Sequence, residues 1–269
     1  MKCIFNRSEK SEVEASIIIC VWNNLAFTMK CLESVVKYTA VDYEIILIDN
    51  HSEEPVIQTA LDFFNKNNVE YTIVLNKENK GFIKGTNQGI KLARGQFIVF
   101  LNNDVEVTHG WLTKMINIFN KDKRIGIIGC LASPSNIGWQ PVNHLKGKVS
   151  WLQDLPDWEG KSVDEYAKII ENTYSGKYKI VGMVAFFCAV VKRDAINHIG
   201  LLDEDYGIGF MDDTDYCERA RLRGYKIALA LDTYVYHYHR ATFNKLDINC
   251  KKLLDNNLRK FQNKFGKPY

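Results

Sequence analysis

The chain has 269 residues, of which 46% are hydrophobic and 25% are charged, and this is the composition of an ordinary globular protein. Its 35 Lys and Arg against 32 Asp and Glu leave a net charge of +3, too mild for the clustered basic face of a nucleic-acid-binding protein. No apolar run reaches the roughly 20 residues that cross a bilayer.

The first half of the chain alternates short apolar strands with amphipathic helices. Strands are predicted at residues 16–22, 43–49, 71–75, 96–101 and 125–130, and helices at 25–38, 55–67, 84–93 and 111–120. This alternation predicts an α/β fold with a mostly parallel sheet covered by helices on both faces. Ligands of such sheets bind beyond the carboxyl ends of the strands, so the polar residues there are the candidate site.

The second half begins with an aromatic-rich stretch of little periodicity, residues 133–160. After it the pattern predicts a helix at 162–174, a strand at 180–191, an acidic helix at 211–223, and strands at 226–231 and 234–239. From 242 to 264 apolar residues, among them Leu254 and Phe261, recur at helical spacing between lysines. This spacing predicts an amphipathic helix at the C-terminus.

The predicted strand at 96–101 is followed by three polar residues, Asn102, Asn103 and Asp104. A divalent cation bound to a diphosphate often needs only one or two protein carboxylates, which makes Asp104 a candidate ligand. The alternative is that the three residues only turn the chain, since Asn and Asp favour turns.

The motifs of the first half, taken in order, resemble the family-two inverting glycosyltransferases. Residues 79–82, 85–90, 93–95 and 102–104 follow one another like that family's Asn-x-Gly-Phe, small-x-Asn-x-Gly, Ala-x-Gly and variant Asp-x-Asp elements. The resemblance implies a GT-A (Rossmann-like) fold and a nucleoside-diphosphate sugar donor, with a rhamnosyltransferase-like branch as one option. It places Mn²⁺ or Mg²⁺ on Asp104, although Asn102 stands where an aspartate is common.

The ends of the first two strands resemble the family's nucleotide-binding segments. Val21, Trp22 and Asn23 match a first strand that ends in an aromatic residue and an Asn, while Asp49 and Ser52 match a Val-Asp-Asn-x-Ser segment. A carboxylate accepts well from the imide of uracil or thymine, the role implied for Asp49. An Asx-capped turn is the alternative. The resemblance adds four residues to the nucleotide-binding set: Gly81, Asn87, Asn102 and Asn103.

The acidic helix resembles the family's Glu-Asp-x-Asp-x-x-x-Arg segment. Asp213 takes the place of the catalytic base, and Asp212 replaces the usual glutamate on the sugar side. A carboxylate there can remove the proton of an acceptor hydroxyl, and neighbouring acids raise its basicity. The alternative is that the acids only face the positive end of the helix dipole.

Two histidines, His237 and His239, alternate on a predicted strand and share a face. The family often completes its metal site with a His a few residues before a Thr, and counting back from Thr242 selects His237. His239 is assigned to phosphate or acceptor, or to packing. Gly182 resembles a glycine beside the acceptor pocket, and Trp139 is a candidate for stacking on a sugar, although such tryptophans more often anchor a core or lid.

The predicted organisation is a leader (1–14), a domain (15–240) and a C-terminal helix (241–269). Within the domain, residues 15–131 form the nucleotide-binding half and 132–240 the acceptor and catalytic half. The expected reaction is inverting transfer from a UDP- or dTDP-sugar to a glycan, lipid-linked or protein acceptor, in cell-surface glycan or glycoconjugate synthesis.

The polar residues 1–14 lack the apolar core of a signal peptide, and the seven cysteines show no zinc or redox spacing. We therefore expect a cytoplasmic protein. Its basic C-terminal helix either contacts the inner face of the cytoplasmic membrane or presents a solvated face.

Two rival functions are a non-catalytic nucleotide-sugar or glycan-binding module of the same fold and a sugar-nucleotide pyrophosphorylase. The pyrophosphorylase needs a Gly-rich phosphate loop after the first strand, where this chain has Val21-Trp22-Asn23-Asn24. A dinucleotide-binding enzyme is disfavoured because Gly81, Gly85 and Gly89 precede the fourth strand instead of following the first.

Overall fold

The computed structural model describes residues 2–7, 12–133, 140, 158–238 and 250–266. Within these ranges the strands are β1 Lys2–Asn6, β2 Ala15–Val21, β3 Tyr43–Asp49, β4 Tyr71–Leu75, β5 Phe97–Asn102, β6 Val105–Glu106, β7 Ile125–Ala132, β8 Tyr178–Val181, β9 Cys188–Lys192 and β10 Lys226–His237. They form one sheet in the order β1-β4-β3-β2-β5-β9-β7-β10-β6, with β8 beside β10.

Helices cover both faces of this sheet. The described helices are α1 Leu25–Tyr38, α2 Val56–Asn67, α3 Gly81–Leu92, α4 Trp111–Lys121, α5 Val163–Tyr174, α6 Arg193–Ile199, α7 Asp212–Leu222 and α8 Cys250–Phe265, with a 3₁₀ turn at Glu204–Tyr206. Helix α5 begins where Ser162 and Glu165 form a reciprocal capping box, which satisfies two backbone N–H groups at its start. The expected α/β class is confirmed.

The central strand β2 shows why the strands have apolar sequences. It runs parallel to β3 on one side and to β5 on the other, so both of its faces are covered. Ile18 packs into the cluster that holds α3 and α7, and Ile19 into the cluster of α1, α2 and α4. Two buried faces require apolar residues at nearly every position, which is the pattern that predicted the strand.

Two predictions for the second half are wrong. The strand predicted at 180–191 is two strands: β8 pairs antiparallel with β10, while β9 lies between β5 and β7. The strands predicted at 226–231 and 234–239 are the single strand β10, whose register against β7 shifts between Ala230 and Tyr234. Asp232 and Thr233 lie buried at this shift. Their polar side chains interrupt an otherwise apolar pattern without ending the strand.

The predicted leader contains a strand that the sequence pattern did not reveal. Strand β1 pairs antiparallel with β4, from Lys2 opposite Leu75 to Asn6 opposite Tyr71. Phe5 on this strand is exposed, as at the edge of a sheet. A short mixed sequence can form a strand where a neighbouring strand supplies the hydrogen bonds.

Helix α8 packs on the domain through Asn257 and Phe261, whereas Leu254 on the predicted apolar stripe is exposed. On its basic side Lys251, Lys252 and Arg259 are exposed, so contact with an anionic membrane stays a prediction, as does the cytoplasmic location. Among the described residues, no helix has the length and hydropathy needed to pass through a bilayer.

Candidate active site

The carboxyl ends of β3, β2 and β5 lie side by side and bring together residues that are far apart in the sequence. Val21 at the end of β2 is paired with Asp49 at the end of β3, and Cys20 with Asn102 at the end of β5. Trp22 follows at this edge and is half-buried. The residues that the sequence predicts for a ligand site therefore lie together at the carboxyl edge of the sheet.

Hydrogen bonds fasten the loops after β2 and β3 to each other. The Ser52 N–H donates to Asp49 Oδ1 (3.0 Å), the Asn23 N–H donates to Ser52 Oγ (2.8 Å), and the Glu53 N–H donates to Asn23 Oδ1 (2.8 Å). Asn23 and His51 both have left-handed backbone conformations, with φ of 56° and 68°. Asn23 and Ser52 thus shape the pocket around Asp49, and their direct contact with a nucleotide stays a prediction.

The start of α3 lies against a segment that we call the bridging loop, residues 202–211, which connects α6 to α7. Gly81 has a φ of +75°, and a Cβ added there would lie 2.8 Å from the Ile208 Cα. Only a glycine permits this close approach without strain. The Gly81 carbonyl also accepts from Asn50 Nδ2 (3.1 Å), which joins the loop after β3 to the same junction.

The structure gives Asn87 another role than nucleotide contact. Its amide donates to the Leu202 carbonyl (2.9 Å) and to Glu204 Oε1 (3.0 Å), and its oxygen accepts from the Leu202 N–H (2.9 Å). The side chain is buried and both ends of the amide are engaged. Asn87 therefore ties α3 to the bridging loop.

Asp104 and His237 come together across the junction of β6 and β10. His237 Nε2 lies 3.2 Å from Asp104 Oδ1, and the two side chains are only 12% and 7% exposed. The His237 ring stacks on Phe187 at 5.0 Å, and the Tyr238 N–H donates to the Asp104 carbonyl. These contacts fix both side chains in one orientation.

This pair suits a metal ion that also binds a diphosphate. Among the residues described, no three or more His, Cys, Asp or Glu side chains converge as a closed metal site. An ion there needs ligands from a phosphate and water, which is how Mg²⁺-type ions bind nucleotides. Asn103, in contrast, donates from Nδ2 to Thr28 Oγ1 (2.9 Å) and is buried, so its side chain serves the packing of α1 against β5.

The start of α7 holds the acids Asp212 and Asp213 in different surroundings. Burial and the neighbouring Asp213 carboxylate raise the pKa of Asp212 to about 8. Burial also raises the pKa of Asp213, although hydrogen bonds from Thr214 and from the Phe186 backbone oppose the rise. A carboxylate with a raised pKa is a better proton acceptor near neutral pH.

Asp215, the third acid of this segment, has a structural role. It is fully buried, and its oxygens accept from Arg219 Nε and from Lys264 Nζ on α8, both at 2.6 Å. The ion pairs of Asp215 therefore anchor the helix that begins with Asp212 and Asp213.

The glycosyl transferase family 2 description matches residues 16–200, more than half of the chain. The chain belongs to this family. The matched range runs from β2 to the end of α6 and includes the carboxyl edge of the sheet with Asp49 and Asp104.

Similar proteins include several N-acetylgalactosaminyltransferases. Polypeptide N-acetylgalactosaminyltransferase 11 of Xenopus tropicalis is 33% identical over 116 residues, which are 41% of this chain and 19% of that protein. The chain thus covers about a fifth of that relative's length. Its similarity is limited to one part of a larger protein.

Solved structures show the fold. GalNAc-T7 with UDP, GalNAc and Mn²⁺ superposes with a TM-score of 0.62 at 19% identity, over 84% of this chain and 44% of that one. A mannosyltransferase from Pyrobaculum calidifontis in complex with GDP-Man and Mn²⁺ superposes with a TM-score of 0.61 at 14% identity, over 84% and 57%. These likenesses confirm the GT-A fold.

Three residues that were expected near the sugars are not shown to contact the site by the described structure. Trp139 and His239 lie outside the described residues. Gly182 is exposed after β8, where an added Cβ would meet nothing within 4 Å. Their roles stay predictions.

The sequence analysis overlooked Asn50. Its amide donates to the Gly81 carbonyl, and its oxygen accepts from Asn76 Nδ2 (3.0 Å). The signal was present, since Asn50 stands between Asp49 and Ser52 in the same motif.

Proposed function

We propose that the chain transfers a sugar from a nucleoside-diphosphate sugar to an acceptor hydroxyl with inversion at the anomeric carbon. Two consecutive residues, Phe186 and Phe187, support the proposal because they connect Asp213 with His237. The Phe186 backbone donates a hydrogen bond to Asp213, while the ring of Phe187 stacks on His237. The Asp213 carboxylate and the Asp104–His237 pair are therefore contacted by two adjacent residues, Phe186 and Phe187.

Asp104 and His237 are the residues that would hold a divalent ion. When bound, such an ion supplies positive charge that offsets the negative charge developing on the departing diphosphate. We favour Mn²⁺ over Mg²⁺, because Mg²⁺ is bound by oxygen ligands in near-ideal octahedral geometry and one of the two ligands here is an imidazole nitrogen.

Asp213 is the proposed general base. The acceptor oxygen attacks the anomeric carbon from the side opposite the diphosphate and passes its proton to the Asp213 carboxylate. The bond between that carbon and the diphosphate oxygen breaks, and its electron pair leaves with the diphosphate. One in-line displacement inverts the anomeric centre. Asp212, with its pKa raised to about 8, is mostly protonated at pH 7 and can donate a hydrogen bond to a sugar oxygen.

Asp49 is proposed to accept the imide N–H of uracil or thymine, which makes a UDP- or dTDP-sugar the proposed donor. Ser52 orients the carboxylate from one side. The acceptor is proposed to be a hydroxyl of a glycan, a lipid-linked sugar or a protein.

The test is release of nucleoside diphosphate from a panel of UDP-, dTDP- and GDP-sugars with Mn²⁺, Mg²⁺ or EDTA. We expect turnover of UDP- or dTDP-sugars that EDTA abolishes. Asp213→Asn should lower kcat by about 10²–10⁴-fold, the usual contribution of a general base, and should leave UDP affinity unchanged because the amide oxygen can still accept from Thr214. The exposed Asp255 on α8 provides the control, Asp255→Asn.

Normal turnover by Asp213→Asn would show that Asp213 is not the base. UDP binding with Mn²⁺, seen as a rise in melting temperature, but without turnover of any donor, would favour the non-catalytic module instead.

A further inference from the structure

The bridging loop carries strain just before the acid pair. Phe210 and Met211 both have a φ of 68°, in the left-handed region that residues other than glycine rarely adopt. Such a conformation persists only where surrounding contacts hold it. Asp212 follows directly, so the backbone that carries the acids depends on whatever supports this turn.

One buried amide on α8 supplies that support. Asn257 is 0% exposed, and its Nδ2 donates to the carbonyls of Tyr206, Gly209 and Phe210 at 2.8, 2.9 and 3.1 Å. Burying an amide is unfavourable unless hydrogen bonds compensate for it. Here they compensate the Nδ2, and all of them go to the bridging loop, whereas the buried Oδ1 has no hydrogen-bond partner among the described residues.

Helix α8 also contacts the start of the bridging loop and the first turn of α7. Lys264 Nζ lies 2.5 Å from Asp203 Oδ2 and 2.6 Å from Asp215 Oδ1, and Lys260 donates to the Asp205 carbonyl. Although burial opposes it, these hydrogen bonds to Asp203 and Asp215 raise the pKa of Lys264. The contacts thus run from the start of the loop to the first turn of α7.

The opposite side of the loop faces the nucleotide half. Asn87 binds Leu202 and Glu204, and the Phe82 N–H donates to the Ile208 carbonyl at 3.3 Å. The bridging loop is therefore held between α3, which follows the nucleotide-binding strands, and α8.

We propose that α8 acts as a clamp on the bridging loop and that Asn257 is a positioning residue for Asp213. The inference rests on the proposed function, since it concerns how the base is aligned. Asp213 lies three residues after Phe210, whose carbonyl Asn257 binds. A displacement of about 1 Å at a reacting group can cost on the order of 10²-fold in rate.

The full-length chain offers a matched pair of variants, because Asn256 is exposed next to the buried Asn257. In Asn257→Leu, which has nearly the same shape but no donor, we expect kcat for the best donor to fall about 10- to 100-fold. The Kd for UDP with Mn²⁺ should stay within about twofold, because Asp49 and Asp104 lie outside the clamp. Asn256→Leu should change neither value.

Two further variants keep the test decisive if Asn257→Leu does not fold. Asn257→Ser retains one donor and should show an intermediate loss of kcat, and Lys264→Met removes the second contact of the clamp. A kcat within twofold of wild type in folded Asn257→Leu overturns the proposal. So does a parallel loss of kcat and UDP affinity, or a failure of all three variants to fold, since either marks α8 as a general stability element.

Failure of the proposed function has a different signature. It appears as wild-type protein that turns over no nucleotide sugar, and it overturns the role of Asn257 together with that of Asp213. An active wild type with an unaffected Asn257→Leu variant overturns the clamp alone.

Discussion

Replacing Gly81 by alanine should weaken the junction between α3 and the bridging loop. The residue has a φ of +75°, and the new Cβ would lie 2.8 Å from the Ile208 Cα and 3.0 Å from its Cγ2. The left-handed conformation costs a residue with a Cβ about 1–2 kcal/mol. Relief of the clash requires movement of the Ile208 backbone, at a further cost of about 1–3 kcal/mol.

A substitution at Gly224 separates the conformational cost from the cost of the clash. It has a φ of +82°, but a Cβ there meets nothing within 4 Å, so Gly224→Ala carries the conformational cost alone. We expect Gly81→Ala to lose about 2–5 kcal/mol of unfolding free energy and Gly224→Ala about 1–2 kcal/mol. At roughly 2–4 °C per kcal/mol for a chain of this size, the two melting temperatures should differ clearly.

Urea unfolding and thermal melting measure the difference, and kcat with the best donor reports on the loop. Because Ile208 lies in the segment that leads to Asp213, kcat should fall in Gly81→Ala and stay normal in Gly224→Ala. Equal stability losses in the two variants would refute the reasoning, since they would mean that the contact with Ile208 carries no weight.

Two further predictions concern buried carboxylates. Because the folded pKa of Asp212 is about 8 against about 3.9 in an unfolded chain, the folded protein keeps a proton that the unfolded chain has lost between these values. Stability should therefore fall as pH rises from about 4 to 8, by up to about 1.4 kcal/mol per pH unit from this group. Asp212→Asn should flatten that fall in melts at pH 5, 6.5 and 8, and an unchanged slope would contradict the assignment. The second carboxylate is Glu44, near the amino end of β3. It is fully buried and accepts from Ser16 Oγ at 2.7 Å and from Arg94 Nε at 3.2 Å. Glu44→Gln should lower the free energy of unfolding in urea by about 3–5 kcal/mol without changing UDP affinity. Glu70 also pairs with Arg94 but is 23% exposed, so Glu70→Gln should cost about 1 kcal/mol or less. Equal costs would mean that burial does not set the loss of stability.

Local periodicity was sufficient for most of the first half of the fold, with β1 as an exception. The bounds predicted for the first helix and for the second and third strands agree with α1, β3 and β4. Both faces of these strands are covered, so their apolar runs are continuous and end sharply at polar residues. Helix α3 begins at Gly81, three residues before the predicted start, because a glycine in a left-handed conformation does not look like a helix start in sequence.

The second half depended on pairing that no local pattern encodes. Residues 180–191 form one apolar run in sequence, yet β8 and β9 pair with different partners in the sheet. In α8 the buried centre is Asn257 and not Leu254. An asparagine becomes a core residue only because three backbone carbonyls of a distant loop point at it.

The sequence by itself determined the family. It also identified the strand ends that carry Asp49 and Asp104 and the helix start that carries the acid pair, because ordered motifs and continuous apolar runs are local properties. Tertiary structure decided what each side chain does there. Asn87 joins α3 to the bridging loop and Asn103 joins α1 to the end of β5, and His237 meets Asp104 only because β10 lies beside β6. These outcomes depend on which distant group each polar side chain meets, and only the folding of the chain brings that group within reach.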